Sequence, residues 1–69
     1  MSREQKAVKA YAVYEKARNA QGLTNYQVSK KTGITPSTLS DWKHGRYTPK
    51  LDKLVKISEL LSMSLDNFC

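Results

Sequence analysis

Two helix-start signals, Thr24 and Thr35, bracket Gly33, and no other feature of the 69 residues constrains the fold as strongly. A threonine hydroxyl can accept from a free amide in the first turn of a helix. Glycine reaches the left-handed conformation that ends one. Thr24 therefore opens a short helix running to about Thr32, which Gly33 stops. Thr35 caps the next, and Pro36 suits its first turn, where a missing N–H costs nothing. That second helix is expected to reach about His44 and end at Gly45. Two short helices joined by a tight glycine turn must pack against each other or leave their apolar faces in water. Val28 and Thr32 share one face before the turn, and Ile34, Leu39 and Trp42 point inward after it. Ser29 is small where the helices would cross. This is the helix-turn-helix arrangement, over residues 24–44.

The flanks supply the rest of a small core. Ser2 and Gln5 have capping-box spacing. From there to about Ala20 an Ala-, Lys- and Glu-rich stretch without Gly or Pro carries Val8, Tyr11, Tyr14, Ala17 and Arg18 at helical spacing, with Gly22 as its stop. Thr48-Pro49 repeats the cap-then-proline pattern and is expected to open a helix. Its broad face would hold Leu51, Leu54, Val55, Ile57, Leu60 and Leu61, the expected centre of the core. A final turn over residues 64–68 would bring Leu65 and Phe68 over it. No segment alternates with period two for long enough to argue a strand. The expected fold is all-α, a compact bundle of about five short helices forming a single domain over residues 1–69. A chain of this size buries only about 60% of the surface its unfolded form exposes.

Charge narrows the partner. Lysine and arginine number 12 against 6 acids, a formal charge of +6, and the isoelectric point is about 9.7. The excess is uneven. Residues 25–50 hold Lys30, Lys31, Lys43, Arg46 and Lys50 against Asp41 alone, whereas residues 51–69 are net acidic. A basic surface centred on the two-helix unit favours a polyanion such as nucleic acid. Cys69 is the single cysteine, so a disulfide framework or cysteine metal cluster is excluded, in keeping with a reducing cytoplasm. Its place at the end leaves open whether the sequence is a segment of a longer protein. No run approaches the ~18 apolar residues of a membrane span, and the polar N-terminus does not read as a signal peptide. The acids, His44 and Cys69 form no nucleophile–base or metal constellation, and no glycine-rich phosphate loop occurs. The expectation is a non-enzymatic, cytoplasmic protein without cofactor or metal.

The stretch "GLTNYQVSKKTGITPSTLSDWKHGRYTPKLDKLVKISELLSMSLDNF", Gly22 to Phe68, resembles the lambda-repressor-like helix-turn-helix family of phage repressors, Cro-type proteins and Xre-type regulators. Upstream, Arg18 falls where the family usually has its arginine. The resemblance implies sequence-specific binding of double-stranded DNA by a transcriptional regulator, expected to be a repressor acting as a homodimer on a near-palindromic operator. The third helix would lie in the major groove with its N-terminal residues at base edges. Carried over by position, Pro36, Ser37, Ser40 and Asp41 match base-contacting residues. Asn25, Thr38, Lys43, Arg46 and Tyr47 match positions that touch the phosphate backbone. The alternative is a protein-interaction module, such as an antitoxin with the same fold.

Three departures from the family pattern stand out. Ser29 replaces a frequent alanine. Lys43 replaces a glutamate that commonly pairs with the arginine matched by Arg18, so Arg18 needs another partner or faces solvent. The base-reading helix offers short side chains and one acid where Gln, Arg or Asn is usual. Trp42, three residues after Leu39, reads as core rather than as a base-stacking residue. Asp41 has two readings: it accepts from cytosine N4, or it pairs with a cation of the protein. Ser37 and Ser40 can contact bases without specifying one, because a hydroxyl both donates and accepts. Lys30 and Lys31 read as a solvated helix face. Tyr47 either bonds phosphate or shields the core. His44 suits a helix C-terminus as a cation.

Overall fold

A computed structural model describes residues 3–68, with side chains from Gln5 onward. Four α-helices, α1 (Arg3–Ala20), α2 (Asn25–Thr32), α3 (Pro36–Lys43) and α4 (Leu51–Leu60), precede a 3₁₀ turn over Leu65–Phe68. There is no strand among the described residues. Helix α1 packs on α3 and on the final turn, while α2 packs on α3 and α4. The first helix ends at Ala20, as expected, and is longer than the other three. Ser2 lies outside the described residues, and with it the capping box expected at Ser2–Gln5.

The caps explain the helix-turn-helix unit. The Thr24 hydroxyl accepts from the Gln27 amide at 3.2 Å, and Gln27 Oε1 accepts from the Thr24 amide at 2.9 Å, a reciprocal capping box. Gly33, at φ 78°, closes α2 by donating its amide to Ser29 O at 2.9 Å. Left-handed backbone there suits glycine. Buried Thr32 donates to Val28 O at 2.8 Å and accepts from the Ile34 amide at 3.3 Å, so its polar atoms are satisfied inside the turn. Lys53 of α4 donates to Thr32 O at 3.3 Å, placing a cation at the negative end of α2. Thr35 then caps α3 by accepting from the Thr38 amide at 3.2 Å.

The core centres on aromatic rings rather than on α4. Trp42 is fully buried. Its ring stands edge-on to Tyr11 at 5.3 Å, with Tyr14 at 5.0 Å and Phe68 at 6.2 Å. Ala7, Val28, Ile34, Leu39, Ile57 and Leu61 complete the buried set. Trp42 is thus the hub of the buried aromatic contacts, although its Nε1 meets no acceptor among the described residues.

Four expectations need correction. Val8 is 45% exposed, and Ala7, one turn before Tyr11, takes the inward position; Tyr11, Tyr14 and Ala17 lie on the face expected of them. Helix α4 starts at Leu51 with Lys50 as an N-cap that makes no side-chain bond. The Thr48-Pro49 pair does not open it: Pro49 is buried in the preceding extended segment, which lets the loop close over the core. Leu51 and Val55 do not join the core face, being 65% and 37% exposed. They lie one turn apart on the flank of α4, away from Ile57 and Leu61. Leu65 is half-buried, and Phe68 alone from the final turn reaches the aromatic cluster.

Candidate nucleic-acid interface

With Leu39 and Trp42 turned inward, α3 presents short polar residues on its free side. Pro36, Ser37 and Ser40 are exposed, while Thr38 and Asp41 are half-buried. Ser37, Ser40, Asp41 and His44 recur at helical spacing and form one stripe. The side-chain hydroxyls of Ser37 and Ser40 make no hydrogen bond within the described residues, so they are available to a ligand. Thr38 is not equally free, since its hydroxyl shares a proton with that of Thr35 at 2.8 Å. His44 caps α3, and its Nδ1 lies 2.8 Å from Ser40 O.

The C-terminal edge of α3 carries the cations. Lys43 is exposed and makes no ion pair with a described residue. Gly45, at φ 80°, reverses the chain so that the Arg46 amide donates to Asp41 O at 2.8 Å. The Arg46 guanidinium then stands 3.8 Å from the Asp41 carboxylate, with the side chains 70% and 50% exposed. That length is beyond a hydrogen bond, and exposed pairs of this kind contribute about 0–1 kcal/mol. The pair is therefore easily opened, leaving both groups usable by a ligand. Tyr47 is half-buried and packs against the core.

Asn25 sits at the first position of α2, but its side chain is engaged. The Tyr14 hydroxyl donates to Asn25 Oδ1 at 2.6 Å, and Asn25 Nδ2 donates to the Tyr11 hydroxyl at 3.3 Å. Burial pushes the Tyr14 phenol up to about 12, with Arg18 opposing and Tyr11 and Glu15 adding to the rise, so it is a fixed proton donor at neutral pH. One Nδ2 hydrogen and the free amides of the first helical turn remain for an anion. Composition and spacing gave no hint of this tyrosine pair, since a buried phenol's partner depends on how α1 crosses α2.

Arg18 does find another partner. Its Nη1 donates to Leu23 O at 3.1 Å, and its Nη2 lies 3.9 Å from Glu15. It clamps the α1–α2 loop rather than facing solvent. Gln21 adds a tie from that loop to Leu61 O at 3.1 Å. Lys30 is exposed, as expected of a solvated face, with its ammonium 4.7 Å from the centre of the exposed Tyr26 ring. Lys6, unremarked in the sequence beyond its charge, lines a cleft with Gly45, Arg46, Tyr47 and Thr48.

Residues 15–68 match the helix-turn-helix family of Cro/C1 type. The chain belongs to that family. A stretch of 40 residues is also 38% identical to an uncharacterized HTH-type transcriptional regulator of Haemophilus influenzae, covering 58% of this chain and 17% of that protein. The chain thus spans about a sixth of the length of this relative. No solved structure matches the chain significantly. No helix among the described residues is long and apolar enough to cross a membrane, and no group of acidic, His and Cys side chains among them could hold a metal ion.

Proposed function

We propose that this helix-turn-helix protein binds double-stranded DNA sequence-specifically and regulates transcription. The observation that carries the reading is the free face of α3: unpaired hydroxyls of Ser37 and Ser40 beside Asp41, edged by the exposed cations Lys43 and Arg46. Short donors and acceptors between phosphate-binding cations are what a major groove accommodates. Pro36, Ser37, Ser40 and Asp41 face the bases in this reading. Asn25, Thr38, Lys43, Arg46 and Tyr47 hold the backbone. Net charge of +6 adds the attraction that brings the two together.

The protein acts as one domain in the cytoplasm, by occupying a promoter as a repressor rather than by chemistry. It binds as a homodimer on a near-palindromic operator, so that two copies of α3 enter successive turns of the groove. The exposed Leu51 and Val55 on α4 offer apolar surface that supports self-association.

Selection from random duplexes, followed by salt titration of the winning site, tests the reading. Lys43→Ala and Arg46→Ala are expected to weaken binding to every duplex alike. Each should lower the slope of log affinity against log salt by about 0.9 per lost phosphate contact. If both variants keep full affinity at all salt concentrations, the backbone assignments are wrong. If selection enriches no sequence while a protein partner binds with little salt dependence, the protein-interaction alternative replaces this reading.

A further inference from the structure

We infer that the N-terminal half of α1 carries an additional phosphate site, in which Lys6 joins Arg46, Tyr47 and Thr48 to hold one phosphodiester of the duplex. This rests on the DNA-binding reading above and extends it to a segment which that reading leaves without a role. The family match begins at residue 15, whereas α1 begins at Arg3. The core takes Ala7, Tyr11 and Tyr14 from the earlier part of the helix. Its exposed side is unaccounted for.

Packing fixes where that side lies. Tyr11 seats α1 against Trp42 of α3. Ala7, one turn earlier, is 1% exposed, so the helix continues in close contact with the protein. Lys6, beside Ala7, therefore emerges next to the chain that leaves α3. There Gly45 turns the backbone, and Lys6, Gly45, Arg46, Tyr47 and Thr48 enclose a cleft of about 490 Å³.

The lining has the chemistry of an anion site. It contains an ammonium, a guanidinium and two hydroxyl-bearing side chains, and it contains no carboxylate. Lys6 forms no ion pair with a described residue, and Arg46 meets only Asp41, at 3.8 Å. Glycine at position 45 adds no side chain to the lining. A phosphodiester carries one negative charge on two non-bridging oxygens, which a guanidinium fork and an ammonium can share. The same Arg46 touches Asp41 on the free stripe of α3. The cleft is therefore continuous with the surface assigned to the duplex, which favours a backbone phosphate over a detached anion.

The test uses the full chain and its selected duplex. Salt titrations and phosphate-ethylation interference are run on the wild type and on K6A, K6R, K43A and K56A. Lys56 is an exposed cation of α4 outside the cleft, so its loss controls for net charge. K6A is expected to lower the salt slope by about 0.9 and to erase one phosphate from the interference pattern. K6R should retain both and K56A should change neither. Thermal melting confirms that the K6A fold is intact. Equal slopes and patterns for K6A and K56A, with K43A still lowering the slope, overturn the site and leave DNA binding standing. Failure of the wild type to bind any duplex removes the reading beneath it and the site together. A K6-dependent rise in melting temperature with inorganic phosphate at constant ionic strength, without any slope change on DNA, reassigns the cleft to a free anion and overturns the duplex contact.

Discussion

Replacing Tyr14 with phenylalanine removes one oxygen from the joint between α1 and the start of α2. The ring remains, so its packing 5.0 Å from Trp42 is kept. What is lost is the 2.6 Å hydrogen bond to Asn25 Oδ1, from a side chain with no solvent exposure. A net hydrogen bond contributes about 1 kcal/mol, and stranding a half-buried amide oxygen raises the cost, so a loss of about 1–2 kcal/mol is expected near pH 7. The alkaline limb gives a second, independent signature. Burial holds the folded-state phenol at about 12, above the value of 10.0 for free tyrosine. The folded state thus keeps a proton that the unfolded state releases. Its contribution is complete below about pH 10 and is lost as the pH rises toward 12, amounting to roughly 2.7 kcal/mol at the far end.

Urea unfolding followed by Trp42 fluorescence measures both effects. At about pH 8 the wild type should be the more stable. By about pH 11.5 it should have lost roughly 2 kcal/mol that Tyr14→Phe does not lose, closing or reversing the gap. A gap of constant size across this range would refute the assignment of Tyr14 as a buried donor. So would Tyr14→Phe matching the wild type at every pH.

Trp42→Ala truncates the centre of the aromatic cluster. It should cost about 3–5 kcal/mol, comparable to the whole stability of so small a domain, and a cooperative melt at unchanged temperature by circular dichroism would contradict the core described above. Asp41→Asn opens the ion pair to Arg46, and under the base-reading hypothesis it relaxes preference at one base pair per half-site by about 1–3 kcal/mol. Binding to the selected site and its single-base variants decides the matter: a uniform change across all of them assigns Asp41 to Arg46 alone.

The helix-turn-helix unit was legible because its determinants are local. Thr24, Gly33, Thr35 and Pro36 each set backbone conformation within a few residues, and all four act where spacing placed them. Trp42 was legible for a different reason, its offset from Leu39. Interactions between distant segments were not. Nothing in the sequence marks Tyr14 as the partner of Asn25, or a backbone carbonyl at Leu23 as the acceptor for Arg18. The start of α4 does not follow from the Thr48-Pro49 pair because proline after threonine has two uses. At Thr35-Pro36 it begins a helix; at Thr48-Pro49 the proline is buried in an extended loop, and Lys50 takes the cap position. The buried face of α4 is narrower than its apolar periodicity, because periodicity counts residues and cannot see how much of the face its neighbours cover. Helices α2 and the final turn cover Ile57 and Leu61 but leave Leu51 and Val55 in solvent.

The short residues on α3 place a demand on the rest of the fold. An arginine or glutamine can recover an ångström of misplacement by changing rotamer, but Ser37, Ser40 and Asp41 cannot. In the proposed complex their contacts require the α3 backbone itself to sit close to the base edges. That position is set from behind by Leu39 and Trp42, both fully buried. It is set from the ends by the Thr35 cap and the turn at Gly45. Serine hydroxyls also discriminate weakly, since each can donate to one base and accept from another. In the proposed complex, sequence preference then draws also on how readily a duplex brings its phosphates to the cations around α3. The proposed phosphate contacts Lys43, Arg46 and Lys6 stand on three different segments: α3, the following loop and α1. In the proposed complex their spacing selects for backbone shape. A duplex that deforms easily to meet all three is favoured over one that does not, even where the protein touches no base.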